Sequence, residues 1–185
     1  MDVNQALNEL RSMADKDPQT VAKRRGVPAE QVLGVSTAKI RKLAATLQQD
    51  AGLAEQLWRS GLHEARILAI LVAPPELFTQ SQNGWVHNID SWDLSDHLAK
   101  RVAEHYTADI TAAGTYAQTW THDDRELVRR AGLALLANFC MRQHTLDSDA
   151  VTTVTRLISD AASDSRRQVK QACCWALREL GKIDT

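Results

Sequence analysis

The 185 residues fit one domain with room for a substantial core, so 1–185 is read as a single domain. With 22 lysines and arginines against 23 aspartates and glutamates, the formal net charge is −1, which excludes a global attraction to nucleic acid or acidic lipid. Three cysteines make no disulfide framework and no stretch approaches about 18 apolar residues. The polar opening Met1-Asp2-Val3-Asn4-Gln5 is not a signal peptide, so a soluble cytoplasmic domain is expected.

Nearly every segment predicts helix. Val3 to Ala14 places Val3, Ala6, Leu7, Leu10 and Met13 on one face. Pro18 suits the first turn of a second helix reaching about Arg25, which Gly26-Val27-Pro28 ends. Ser36 or Thr37 is expected to cap a helix whose buried stripe is Ile40, Leu43, Ala44 and Leu47, with Lys39, Arg41 and Lys42 outside. A short helix from Leu53 to Arg59 stops at Ser60-Gly61. His63-Glu64-Ala65-Arg66 opens the apolar run Ile67 to Val72, closed by Pro74-Pro75, and a further helix is expected from Pro75 to His87, with Asn83-Gly84 as its weak point.

Ser91-Trp92-Asp93-Leu94-Ser95-Asp96 begins the next helix, to about Tyr106, with Leu94, Leu98 and Val102 as its buried stripe. Trp92 and Asp96 are four apart and share a face. An aromatic plane beside a carboxylate can steady positive charge, or it can be a core anchor with an N-terminal acid favoured by the helix dipole. Helices follow from Asp109 to Trp120 and from Asp147 to Ala161. Around the second of these, Asp123-Asp124-Arg125-Glu126-Leu127-Val128-Arg129-Arg130-Ala131 lies over Asp164-Ser165-Arg166-Arg167-Gln168-Val169-Lys170-Gln171-Ala172, at an offset of 41 residues that also pairs Leu136 with Leu177. That period is the length of a two-helix repeat of the HEAT or armadillo kind, and such pairs stack into a curved solenoid with a concave face.

The six histidines make no zinc site, and neither a Gly-rich phosphate loop nor a nucleophile elbow is present. No metal and no cofactor is expected. His63 beside Glu64 reads as a capping or surface pair, and Cys140, Cys173 and Cys174 as small core residues. Trp92 and Trp175 read first as core anchors. One of Arg129 and Arg130 must lean away from the apolar run 131–137; it either holds a phosphate bidentately or pairs with Asp123 or Asp124.

Taken together, Leu33-Gly34-Val35-Ser36 with Ile40-Arg41-Lys42-Leu43, His63-Glu64-Ala65-Arg66, Ser91-Trp92-Asp93 with Asp96, Val128-Arg129-Arg130-Ala131 and Trp175-Ala176-Leu177-Arg178-Glu179 resemble the AlkD-type DNA alkylation repair glycosylases, in the family's order and over about residues 20 to 180. The resemblance implies an all-α, C-shaped stack of HEAT-like repeats with a concave DNA-binding face. It also implies a monomeric enzyme that removes purines alkylated at N3 or N7 from double-stranded DNA. It maps the catalytic set onto Asp96, Trp92 and Trp175, and phosphate contacts onto Arg130, with Arg66 and Lys170 as further candidates. Arg25 stands where relatives tend to carry an aromatic residue, and a terminal cap of longer relatives is expected to be missing. The alternatives are a non-catalytic relative that binds damaged or branched DNA on the same face, and a protein-binding scaffold.

Overall fold

The computed structural model describes residues 1–74, 77, 84–106 and 110–183, without the side chains of 110–112. Among the described residues there are ten α-helices and no strand. Most of the helix expected over 75–87 lies outside them; at its end, Trp85–Asn88 form a single 3-10 turn instead. Two compact units divide the chain, 1–84 and 85–185.

The first unit holds α1 (Val3–Ser12), α2 (Pro18–Arg25), α3 (Thr37–Ala45), α4 (Ala51–Arg59) and α5 (His63–Val72). Pro18 takes the first helical position, where its missing N–H costs nothing, and Asp17 caps the next turn. Gly26 ends α2 at φ +76°, a conformation other residues adopt with strain. α5 is the core of this unit. Ile67, Leu68, Ala69 and Ile70 are wholly buried, and α3 and α4 pack on it. The Asp50 N–H meets the Val72 carbonyl, so α4 starts where α5 ends.

His63 and Glu64 are buried and make no side-chain cap, so they are not the capping or surface pair expected. The Glu64 carboxylate accepts the N–H groups of Leu33 (2.8 Å), Gly34 (3.0 Å) and Val35 (3.3 Å), and so ties the loop before α3 to the start of α5. The loop turns at Gly34, φ +81°, where a Cβ would fall 2.2 Å from the Lys16 carbonyl oxygen; only glycine fits. Arg25 is buried beside His63 and hydrogen-bonds its Nε2, so a cation fills this place in the core.

The second unit holds α6 (Trp92–His105), α7 (Ile110–Thr121), α8 (Glu126–Cys140), α9 (Ser148–Ala161) and α10 (Arg167–Leu180). α8 is central: every residue from Arg130 to Cys140 is buried. α6 and α10 flank it, and all three run parallel. Ser95 donates to the Leu127 carbonyl at one end of the α6/α8 pair, and Arg142 pairs with Glu104 at the other. α7 and α9 pack behind α8 and α10 as the return segments. At Gly132, α8 passes so close to the end of α7 that a Cβ would lie 2.6 Å from the Thr121 backbone nitrogen.

The 41-residue repeat is visible as one hydrogen-bonded device used twice. Arg125 folds back on Asp123 (Nε–Oδ1 2.9 Å, Nη2–Oδ2 2.7 Å), and Arg166 does the same to Asp164 (3.0 and 2.6 Å). Each Asp also accepts its arginine's backbone N–H, fixing the turn that opens α8 and α10.

Candidate active site in the second unit

The start of α6 is aimed by its apolar stripe. Leu94, Leu98 and Val102 are all buried, which leaves Trp92 and Asp96 half-buried on the adjoining face. Arg130 enters from α8. Its Nε and Nη2 donate to the two oxygens of Asp96 at 3.0 and 2.8 Å, a side-on bidentate pair. The Nε also reaches the Trp92 carbonyl at 3.3 Å, and the guanidinium carbon stands 5.5 Å from the Trp92 ring centroid. Nη1 donates to the backbone and side-chain oxygens of Gln168 on α10, both at 3.2 Å. The exposures of the pair are unequal: the Arg130 side chain is 7% exposed and that of Asp96 24%, so the carboxylate is the accessible member.

Burial pushes the Asp96 carboxyl above its ordinary range, Arg130 pulls it back down by hydrogen bond and charge, and the carboxylate of Asp93 on the preceding turn pushes it up again. Acceptance by both oxygens is the geometry of the ionised form. The site thus pairs an arginine with a carboxylate that burial disfavours as an anion.

The structure joins Trp92, Asp96 and Arg130 through direct contacts. Arg130 is the inward-facing arginine, and its three nitrogens donate to Asp96, Trp92 and Gln168. Arg129 leans outward, and its ion pair is with Asp164 at 2.8 Å, while Asp123 offers it only a backbone carbonyl. Trp175 is half-buried on α10, seven residues past Gln168 and hence on the same face, about 10 Å further along the helix. Lys170 is exposed on α10. Arg66 belongs to the first unit, where it lies 5.2 Å from the Trp58 ring and donates to the Trp58 carbonyl. Cys140 and Cys173 are core residues, and burial lifts the Cys140 thiol to about 11; Cys174 is exposed, against expectation, because it falls on the outer face of α10.

Sequence reasoning missed Gln168 and Glu126, which bonds the Gln168 N–H at 2.9 Å. The signal was an arginine entering an apolar helix, which needs acceptors from both neighbouring repeats. Among the described residues no group of histidines, cysteines and carboxylates is placed to hold a metal ion, and no helix is long and apolar enough to cross a membrane.

The sequence profile of the family described as DNA alkylation repair enzyme matches residues 6–185. The chain belongs to that family. A solved structure described as a new family of proteins related to the HEAT-like repeat DNA glycosylases, with affinity for branched DNA structures, is 21% identical. It superposes with a TM-score of 0.81 over 97% of this chain and 76% of that one, so the DNA alkylation repair chain has the HEAT-like repeat fold. No curated protein matches it.

Proposed function

We propose that the chain is a DNA glycosylase, acting as a cytoplasmic monomer, that hydrolyses the N-glycosidic bond of purines alkylated at N3 or N7 in double-stranded DNA. The observation that carries the reading is the accessible Asp96 carboxylate fixed beside the Trp92 ring by a buried arginine. A purine alkylated at N3 or N7 is already cationic. When the bond from the sugar C1′ breaks, the electron pair neutralises the departing base, and no acid has to protonate it. One of the two carboxylates of ordinary glycoside hydrolysis becomes unnecessary.

What remains is a sugar with oxocarbenium character and a water that must attack it. Asp96 supplies negative charge to the first and accepts a proton from the second as the new C–O bond forms. Trp92 presents its ring face to the cationic sugar, with Trp175 on α10 as the second indole. Arg130 sets the direction of the carboxylate, and Lys170 and Arg66 are assigned to backbone phosphates.

The second reading is binding without excision, favoured by two observations. The structural neighbour is described as having affinity for branched DNA, and the bidentate arginine offsets part of the charge of Asp96. One experiment separates them. Wild type and Asp96→Asn are incubated with duplex DNA carrying 7-methylguanine or 3-methyladenine, and their binding to a four-way junction is measured in parallel. Excision lowered at least about 100-fold in the variant, with DNA binding kept, supports the glycosylase. Tight junction binding with no base released by wild type supports the alternative.

A further inference from the structure

We propose that Gln168 is a positioning residue for Asp96, acting through Arg130, with Glu126 holding Gln168 in turn. The catalytic meaning of this inference rests on the glycosylase reading; the positioning itself does not. The guanidinium has two working sides. The Nε and Nη2 side grips the carboxylate, and Nη1 on the far side is gripped by Gln168 through two acceptors, its backbone carbonyl and its amide oxygen. The Glu126 carboxylate holds the Gln168 N–H, so the second residue of α10 is pinned to the first residue of α8.

The repeat separates this role from mere fold support. Forty-one residues earlier the equivalent of Gln168 is Leu127, the second residue of α8. Its backbone carbonyl accepts a side chain from the preceding parallel helix too, Ser95 at 3.1 Å. The helix-to-helix bond therefore needs only a main-chain carbonyl, and leucine serves there. At the α8/α10 junction the donor is the arginine that grips Asp96, and a second acceptor has been added on the side chain. Without it, Nη1 keeps one partner and the guanidinium can swing about its Nε, taking the carboxylate with it.

The test uses Gln168→Leu, which copies the Leu127 arrangement, and Gln168→Glu, which sets a second carboxylate against Nη1. Both keep the Glu126 bond to the backbone, and both are expected to unfold within a few degrees of wild type. The primary readout is the titration of the Asp96 carboxyl carbon by NMR in the full chain. In Gln168→Glu the guanidinium is shared between two anions, so the Asp96 midpoint rises by about half a unit or more, and in Gln168→Leu it rises by less. On methylated duplex, kcat falls about tenfold in Gln168→Leu with KM little changed.

An Asp96 midpoint identical in wild type and both variants overturns the proposal. If wild type releases no base but the midpoint moves as stated, the positioning holds and the glycosylase reading falls. If wild type excises, and both variants excise at the same rate with an unmoved midpoint, Gln168 has no such role and the glycosylase reading stands.

Discussion

Replacing Arg130 by methionine tests whether the site is a coupled ion pair or two independent side chains. The substitution keeps most of the aliphatic bulk and removes the guanidinium donors that reach Asp96, Trp92 and Gln168. Breaking a fully buried pair costs about 3–5 kcal/mol, because one charge is left without its partner. Asp96 keeps 24% of its side chain accessible, so water can hydrate it from one side and the cost is expected nearer about 2–3 kcal/mol. The double variant Arg130→Met with Asp96→Leu removes both charges and should recover to within about 1 kcal/mol of wild type.

The pH dependence has a definite sign. With the guanidinium gone, burial and Asp93 raise the Asp96 carboxyl unopposed. A carboxyl raised in the folded state favours folding when protonated, and that advantage disappears as pH rises through its folded value. The deficit of Arg130→Met is therefore largest at neutral pH and shrinks on acidification. Urea unfolding followed by tryptophan fluorescence at pH 7.5 and pH 5, with comparable slopes, measures it. A deficit equal at both pH values, or a double variant as unstable as the sum of the singles, would refute the coupling.

Gly132→Ala drives a Cβ to 2.6 Å from the Thr121 nitrogen and 2.8 Å from its Cγ2, and should lower stability by about 2–3 kcal/mol, read as a fall in Tm. Glu64→Leu leaves three N–H groups of 33–35 without their acceptor. At about 1 kcal/mol or more each, it should cost at least about 3 kcal/mol in urea unfolding, with Glu64→Gln intermediate. Arg125 holds the Asp123 carboxyl down at about 2, and Arg166 with Arg129 holds Asp164 well below the usual range. Depressed carboxyls stabilise the fold above their ordinary value near about 4. Stability should therefore drop as pH falls from about 4 to about 2, and Arg166→Met should flatten that drop in an acid titration followed by circular dichroism.

Periodicity carried the helices: Leu94, Leu98 and Val102 were readable as a buried stripe because helix geometry leaves no other use for them. The 41-residue offset carried the Asp-x-Arg device of α8 and α10, since the same Asp-x-Arg spacing makes the same local hydrogen bonds. Partner choice across helices was not legible. Whether Arg129 or Arg130 turns inward depends on which face of α8 meets α6, and neighbouring positions differ by about 100° of rotation. The buried Glu64 was likewise hidden, because its partners are backbone groups, and backbone groups have no signature in a sequence. Its neighbour His63 looked like surface because its partner, the Arg25 side chain, lies 38 residues earlier in the chain.

The pairing of Asp96 with Arg130 also bears on how a chain of net charge −1 is to approach DNA. A lone carboxylate in a DNA-facing site repels phosphates at every distance within the screening length. Paired side-on with an arginine, it is close to neutral from afar, and its field falls off as a dipole's. At contact the sign returns, because the two ends differ in burial: the carboxylate is the exposed end and the guanidinium the buried one. A cationic sugar within a few ångströms meets the negative end, while a phosphate a turn of DNA away meets almost nothing. On the proposed reading the arginine weakens the carboxylate's attraction for the transition state, and in exchange permits that carboxylate to sit against a polyanion. Asp96→Asn and Arg130→Met should then part company: the first loses excision and keeps DNA binding. The second leaves a bare anion that weakens binding to undamaged duplex, most strongly at low salt. Equal binding of the two variants at 50 mM and 300 mM salt would show that the pair plays no such screening role.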